Sequence, residues 1–478
     1  MTVQPDWLRR QAAARPRHAA VVTPQGSATF AELDDRVARL ARVLSAHPAT
    51  RVGVVLGNGL ALAETVLACL RVGKPVVLFD PRLGLEEALP LVATTAPGLI
   101  VTNAETQDLG GALAAEVDGE SCAHAGLAAA ARSSARDTPS GVDLERTAVV
   151  VFSSGTSGTP KPIELTAGNL LWSALASASR LGSRPEDRWL ACLPLSHMGG
   201  LSILFRSVLL GTTMQLHRGF DLAAVRAALA GEGTTMVSLV PTTLARLIDE
   251  VKSGVVAAPA LRCALIGGAS APIELLEEAR RSGLPVAPTY GLTETASQVA
   301  TLAPGEPFGE TGRVGPPLLP TEVSIVGADG RDVEAGVVGG IRIRGATVSA
   351  TALEEDGWLH TGDAGRLDSV GVLTALGRQD DVIITGGENV SPGEVEAVLG
   401  RLPGIAEVAV AGVADPQWGQ VVGAWVVPSP GASISLEGLR EACGTQLAPH
   451  KRPRWLTLAD ALPRTALGKI RRNLLGGR

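Results

Sequence analysis

Hydrophobic positions along this chain recur in two alternating rhythms. Phe30 to Leu44 carries apolar residues at helical spacing, Arg51 to Leu56 is a short apolar run of strand type, Leu60 to Val72 is helical again, and Lys74 to Asp80 reads as a second strand. Alternation of this kind predicts a parallel α/β sheet. Residues 104 to 146, rich in Ala, Gly, Ser and charge, read as surface helix and loop. The β-branched run Thr147 to Phe152 predicts a buried strand, followed by a helix over Gly168 to Leu181. Trp189 to Pro194 then reads as a strand end, and an apolar helix carrying Arg206 follows. Further strand–helix units fall at 212–230, 235–252 and 261–282, and Val286 to Gly291 is another extended segment.

From Gly312 to about Leu376 the runs become short, alternating and separated by Gly and Asp, as at Thr321 to Val326 and Gly339 to Ile343. That pattern predicts an antiparallel β subdomain. The charged break Gly377-Arg378-Gln379-Asp380-Asp381 ends it. Beyond it comes a second α/β pattern, with helices over Gly393 to Leu402 and Leu436 to Leu447 and strands over Ile405 to Val413 and Val421 to Val427. The fold class expected is α/β: a large N-terminal domain, 1–379, of α/β subdomains plus a β subdomain, and a small α+β C-terminal domain, 380–478. No internal repeat is visible.

Composition narrows the class. Of 478 residues 45% are hydrophobic and 19% charged, as in a soluble globular chain. The net charge of −6 argues against a dominant nucleic-acid surface, so no nucleic-acid partner is expected. Cys69, Cys122, Cys192, Cys263 and Cys443 lie far apart without ligand spacing, as small core residues in a reducing compartment would. Met1 to His18 lacks an apolar signal segment, and the run Leu201 to Leu210 is too short to span a membrane and contains Arg206. A cytoplasmic protein with no membrane partner is expected.

Chemistry concentrates first after the strand at 147–152. Ser153-Ser154-Gly155-Thr156-Ser157-Gly158-Thr159-Pro160-Lys161 is a run of hydroxyls and glycines closed by a lysine. Backbone amides in such a loop converge on anionic oxygens because Gly tolerates positive φ, and Lys161 adds a point charge suited to phosphate. A flexible Ser/Gly connector is the bland alternative. The P-loop consensus is not met, since Pro160 and Pro162 flank Lys161. A phosphate loop of another family is the better reading.

Five more short motifs stand in order behind it. They are Thr289-Tyr290-Gly291-Leu292-Thr293-Glu294-Thr295, Thr361-Gly362-Asp363, Gly377 to Asp381, Gly386-Gly387-Glu388-Asn389-Val390-Ser391-Pro392 and Pro463-Arg464-Thr465-Ala466-Leu467-Gly468-Lys469. Taken together the chain resembles, over nearly its whole length, the adenylate-forming enzymes: acyl- and aryl-CoA ligases, luciferases and peptide-synthetase adenylation domains. Pro194 to Val208 and Tyr290 to Gln298 look like 2-succinylbenzoate–CoA ligases. The tail, with Trp418-Gly419-Gln420 and His450-Lys451-Arg452-Pro453, is similar to halobenzoate–CoA ligases. Two positions depart from pattern. Pro162 replaces the usual Gly and stiffens the loop's end, and His450 stands where the halobenzoate ligases have an aromatic residue.

The resemblance implies a two-step reaction. A carboxylate attacks the α-phosphorus of ATP, giving acyl-AMP and pyrophosphate, and a thiol then displaces AMP. ATP, Mg²⁺ and CoA as co-substrate are implied, together with cations and oriented donors for the charge that gathers. Lys469, Thr293 and Glu294 take the catalytic roles, Glu294 as the metal carboxylate; a Thr-Glu pair after glycine is otherwise an ordinary helix cap. Ser153, Ser154, Gly155, Thr156, Ser157, Gly158, Thr159 and Lys161 face the nucleotide, with Gly268, Ala269, Ser270 and Gly291. Tyr290, the only tyrosine, stacks on adenine, with core packing as the alternative. Asp363 accepts from the ribose hydroxyls beside Arg378, although either residue alone reads as a surface loop charge.

The resemblance also makes the C-terminal domain mobile. It pivots at Asp380, withdraws Lys469 and presents Gly386, Gly387, Trp418, Lys451 and Arg452 to CoA. The acid lies near His197, Arg206, Gly267 and Gly268. His197 is equally a pocket wall or a catalyst. Arg206 either pairs with a second carboxylate or snorkels to water as a helix-face arginine. The expected function is an AMP-forming acid–CoA ligase acting on a small-molecule carboxylic acid, a hydrophobic aryl or bulky one. The alternative is a stand-alone adenylating enzyme that hands acyl-AMP to a carrier protein or a separate ligase. Monomer and homodimer both remain open.

Overall fold

The computed structural model describes residues 2–130, 141–153, 160–231, 233–252, 258–386, 388–444, 446–464 and 470–475. Among these the strands form five sheets. The first large sheet runs in the order Lys161–Thr166, Thr147–Ser153, Val76–Leu78, Val52–Val54, Leu99–Thr102, Glu120–Ala123. All neighbours are parallel except the opening hairpin. The second runs Ser297–Thr301, Val286–Leu292, Cys263–Ile266, Met236–Leu239, Arg188–Ala191, Thr213–Leu216, Ala19–Thr23, Gly26–Thr29. Its interior is parallel and an antiparallel hairpin closes each edge.

The two sheets share one layer of helices, and the sequence shows why. Phe30–Ala46 buries Phe30, Leu33, Val37, Leu40, Ala41 and Leu44, a stripe at three- and four-residue spacing. Thr29 and Glu32 close a reciprocal capping box at its start, worth about 1 kcal/mol. Leu60–Val72 and Met198–Leu210 are apolar on nearly all sides because both sheets press on them. Outer helices then cover the far faces: Leu85–Thr95 and Gln107–Glu116 on the first sheet, Leu222–Gly231, Pro241–Lys252 and Ile273–Arg281 on the second. Arg71, 1% exposed at its side chain, pins the shared layer by pairing with Asp6 and Asp34. Removing one partner of such a buried pair typically costs about 3–5 kcal/mol.

A five-stranded antiparallel sheet follows, ordered Arg313–Gly315, Leu373–Arg378, Leu359–Leu367, Gly339–Gly345, Thr321–Val326, as the alternation predicts. The C-terminal part builds its own sheet around Gly419–Pro428 and its own core of Ile383, Val395, Leu399, Val410, Val422 and Leu439. Helix Pro392–Leu399 ends three residues earlier than expected, because Gly400 terminates it.

Three elements are not evident from the pattern of the sequence. The four-residue strand Glu120–Ala123 sits in the stretch that reads as helix and loop; it is a half-buried sheet edge with no alternation to betray it. The hairpin Ala19–Thr29 crosses to the second sheet, a long-range choice that local pattern does not encode. Trp455–Leu458 joins the C-terminal sheet parallel to Gly419–Pro428, with Trp455 and Leu458 exposed. Cys69, Cys192, Cys263 and Cys443 are buried as small core residues, whereas Cys122 is half-buried at the sheet edge. No helix among the described residues is long and apolar enough to cross a membrane.

Candidate active site

The carboxyl ends of the parallel strands in the second sheet open on one side, where α/β folds place their ligands. Arg188–Ala191 runs out to His197, Met236–Leu239 to Val240, Cys263–Ile266 to Gly267-Gly268-Ala269-Ser270, and Val286–Leu292 to the turn Thr293–Thr295. Gly268 has φ +82, a conformation that favours glycine, and Ala269 and Ser270 are exposed. The nucleotide and acid positions expected at 267–270 therefore share one loop at the mouth.

The Thr293–Thr295 turn is built tightly. A Cβ on Gly291 would lie 1.9 Å from the Ser297 carbonyl oxygen, so only glycine admits the bulge that turns the chain there. Ala296 and Ser297 have φ of 53° and 118°, sparsely populated for residues with side chains and of the order of 1–3 kcal/mol each in strain. The surroundings hold them. Ser173 Oγ donates to the Ala296 carbonyl at 2.7 Å, and Arg206 Nη2 reaches Ser297 Oγ at 3.2 Å. The Ser349 amide donates to the Glu294 carbonyl at 2.8 Å, tying the turn to the antiparallel sheet. The Glu294 carboxylate is half-buried and makes no hydrogen bond or ion pair among the described residues.

Tyr290 and Asp363 meet across two sheets. The Tyr290 hydroxyl donates to Asp363 Oδ2 at 2.6 Å. Burial and the Asp363 charge push the phenol well above its usual range, so it stays a neutral donor. Arg378, opposite Asp363 in the strand register, donates from Nη1 to Asp363 Oδ1 at 3.2 Å and to the Thr361 carbonyl at 2.7 Å. The three residues expected at the nucleoside thus form one cluster. Ser153 and Lys161 face each other across the base of the expected phosphate loop. Ser154, Gly155, Thr156, Ser157, Gly158 and Thr159 lie outside the described residues.

His197 caps the helix Met198–Leu210 and points Nε2 at Asp80 Oδ2, 3.3 Å away. Asp80, at the end of a strand in the first sheet, also takes two hydrogen bonds from the Arg82 guanidinium. Sequence reasoning missed Asp80; its only signal is a buried-strand end facing the same cleft. One helical face further on, Arg206 does not snorkel. It is 1% exposed, lies over the Trp189 ring at 4.9 Å, and its Nε and Nη1 have no hydrogen-bond partner among the described residues. Burial drives its pKa down to about 9, which still leaves it charged at neutral pH.

In the C-terminal part Gly386 (φ +61) packs on Trp418, where a Cβ would come within 2.6 Å of the indole. The Arg454 guanidinium covers the Trp418 ring at 4.6 Å, and no motif in the sequence singles that arginine out. Lys451 pairs with Glu394, and Arg452 donates to the Leu447 and Gly444 carbonyls. Gly387 and Lys469 lie outside the described residues. The chain on either side of 465–469 is pinned: Arg464 pairs with Glu407, and Arg472 forks onto Glu396 at 2.7 Å from each oxygen. Asp380 sits in the short turn Gln379–Asp381 between the antiparallel sheet and the C-terminal sheet.

The Tyr290–Asp363–Arg378 cluster, the 267–270 loop and the Thr293–Thr295 turn thus gather at the open ends of the strands, where a ligand would sit. The pattern described as AMP-binding enzyme matches residues 8–351, and that described as AMP-binding enzyme C-terminal domain matches residues 394–469. The chain belongs to the AMP-binding enzyme family. It is 36% identical to a 2-succinylbenzoate–CoA ligase of Bacillus subtilis, covering 99% of this chain and 98% of that one. Among solved structures, o-succinylbenzoate CoA synthetase from Bacillus subtilis in complex with its acyl-adenylate intermediate is similar at TM-score 0.91 and 35% identity, covering 100% and 99% of the two chains. A double mutant of that enzyme bound with its product analogue OSB-NCoA gives TM-score 0.75 at the same identity and coverage.

The expected adenylate-forming class and two-part α/β fold are borne out. This chain is an AMP-forming acid–CoA ligase that uses ATP, magnesium and CoA. Among the described residues no group of three or more His, Cys, Asp or Glu side chains could hold a metal ion. Glu294, half-buried and without a hydrogen bond or ion pair among the described residues, has the chemistry a magnesium ion bound with substrate phosphates would accept.

Proposed function

We propose that the acid activated by this ligase is 2-succinylbenzoate. Buried Arg206 carries the proposal. A guanidinium with two unpartnered nitrogens in an apolar helix is several kcal/mol unfavourable unless an anion answers it, and the stacking on Trp189 offsets only part. A monocarboxylic acid spends its one carboxylate on ATP. A dicarboxylate such as 2-succinylbenzoate has a second to give Arg206. The chain-long similarity to 2-succinylbenzoate–CoA ligases supports the same choice.

The other residues fall into roles around that acid. Gly267, Gly268 and His197 border it, with Asp80 orienting the His197 ring. Ser153 to Thr159 and Lys161 cradle the phosphates, Gly268, Ala269, Ser270, Tyr290 and Gly291 border the nucleoside, and Asp363 with Arg378 holds the ribose. Thr293 lies by the α-phosphate. Glu294 would hold magnesium together with the phosphates, and the ion would supply positive charge against the leaving pyrophosphate. Lys469 neutralises the charge that develops on adenylation.

We place the domain boundary at 379/380 with Asp380 as pivot. The Gln379–Asp381 turn joins two separately cored sheets and belongs to neither, so rotation there tears no ladder. Gly386, Gly387, Trp418, Lys451 and Arg452 then serve the thiol step, with CoA rather than a carrier protein as acceptor. The free cysteines fit a cytoplasmic enzyme.

The test is pyrophosphate release with 2-succinylbenzoate, with and without CoA, and mass identification of any thioester. Release in both arms and thioester only with CoA are expected. Release supported by monocarboxylic aryl acids but not by 2-succinylbenzoate would sink the substrate. Lys469→Ala should lose pyrophosphate release by orders of magnitude while still binding AMP; a near wild-type rate would remove Lys469 from its role.

A further inference from the structure

We infer that Arg401 and Glu274 form a latch that seats the small domain on the large one in the arrangement used for adenylation, an inference that rests on the two-step ligase reading above. Arg401 follows the helix Pro392–Leu399 of the small domain, and its Nη2 pairs with Oε1 of Glu274. Glu274 stands in the first turn of Ile273–Arg281, directly behind the loop that carries Gly268, Ala269 and Ser270. The pair therefore joins the small domain to the rim of the nucleotide site.

Its position in the hinge geometry matters more than its strength. Another polar contact between the two units, Ser391 Oγ to the Leu376 carbonyl at 2.9 Å, lies close to the connecting turn and acts on a short lever. Arg401 belongs to the small domain and Glu274 to the large one. Rotation at Gln379–Asp381 must part them, whereas Arg472–Glu396 and Lys451–Glu394, each within the small domain, survive it. The whole chain matches the acyl-adenylate complex better than the product-analogue complex, at TM-scores of 0.91 and 0.75 with equal identity. The small domain is roughly a fifth of the chain, enough to produce such a difference if placed otherwise.

The pair's side chains are 42% and 31% exposed, so it biases the equilibrium without locking it. A contact present in one arrangement and absent in the other shifts their ratio by its own differential free energy. Glu274 Oε2 is buried and makes no hydrogen bond among the described residues, so parting the pair leaves that carboxylate without its Arg401 partner.

Spin labels, one on each domain of the full-length protein, report the arrangement without any acid present. Arg401→Gln and Glu274→Gln should each raise the population of the second arrangement about two- to fivefold, the range such ion pairs supply. Single-turnover thioester formation from supplied acyl-adenylate should rise by the same factor, while pyrophosphate release stays within about twofold. The charge-exchanged variant Glu274→Arg with Arg401→Glu should restore both readouts. Unchanged populations in the single variants, or an exchanged pair no better than they are, would overturn the latch. A wild type that releases no pyrophosphate with 2-succinylbenzoate counts against the substrate instead, and the label distances still decide the latch.

Discussion

Tyr290 donates its hydroxyl proton to Asp363 Oδ2 across 2.6 Å and 73 residues of chain, joining the mouth of the parallel sheet to the antiparallel one. The bond explains why the chain's single tyrosine stands here and not a phenylalanine. It fixes the carboxylate proposed to receive the ribose hydroxyls. Tyr290→Phe leaves one Asp363 oxygen without this donor, and a hydrogen bond to a charged group is worth about 1.5–3 kcal/mol. The specificity constant kcat/KM for ATP in pyrophosphate release should therefore fall about ten- to hundredfold, with the fold intact. An unchanged value would mean that ribose binding does not depend on the clamp.

Gly291 tests the turn that carries Thr293 and Glu294. Because an added Cβ would meet backbone and not a movable side chain, Gly291→Ala should cost about 1–3 kcal/mol and abolish adenylation. Gly111→Ala is the control. It lies in a helix with nothing within 4 Å, and should be neutral or gain up to about 1 kcal/mol. The urea midpoint of Gly291→Ala should fall while that of Gly111→Ala holds or rises; an equal fall in both, or no fall in Gly291→Ala, would contradict the close approach.

Asp80 carries a pH signature. Burial alone would raise its pKa, but the Arg82 and His197 hydrogen bonds outweigh burial and hold the carboxyl well below its usual range. A carboxyl depressed in the folded state adds stability above its unfolded value near 3.8 and loses it as pH falls below. Asp80→Asn should thus be less stable than wild type at pH 7, and the gap should narrow steadily below that value. Melting temperatures followed from pH 7 to 3 decide it; a gap independent of pH would show that the charge is not what matters.

Much of this site is legible in the order of the amino acids alone. Thr289 to Thr295, Asp363 and Arg378 are short motifs whose chemistry depends on residue type, and the folded chain gathers Tyr290, Asp363 and Arg378 into one cluster. What the sequence hides depends on tertiary neighbours. Asp80 looks like the end of a strand because His197 meets it only once two sheets stack, and its other partner, Arg82 two residues on, is an ordinary local pair. Arg206 is ambiguous between water and a ligand, since helical spacing does not say whether a face is covered on both sides. Arg454 stands beside a recognisable basic pair, and only the folded tail puts it, not Lys451 or Arg452, over Trp418. Edge elements such as Glu120–Ala123 carry too few residues for a period to show.

The choice of substrate turns on buried Arg206 answering the second carboxylate of a dicarboxylic aryl acid. The most direct measurement compares kcat/KM for 2-succinylbenzoate with that for its two monocarboxylic analogues, one lacking the ring carboxylate and one lacking the side-chain carboxylate. Wild type should prefer the dicarboxylate over the better analogue by at least about a hundredfold, since leaving a buried charge unpaired costs about 3–5 kcal/mol. Arg206→Met should bring that ratio close to one, and Arg206→Lys should retain part of it. A wild type that uses a monocarboxylic analogue as well as 2-succinylbenzoate, or a preference that survives in Arg206→Met, would contradict the assignment.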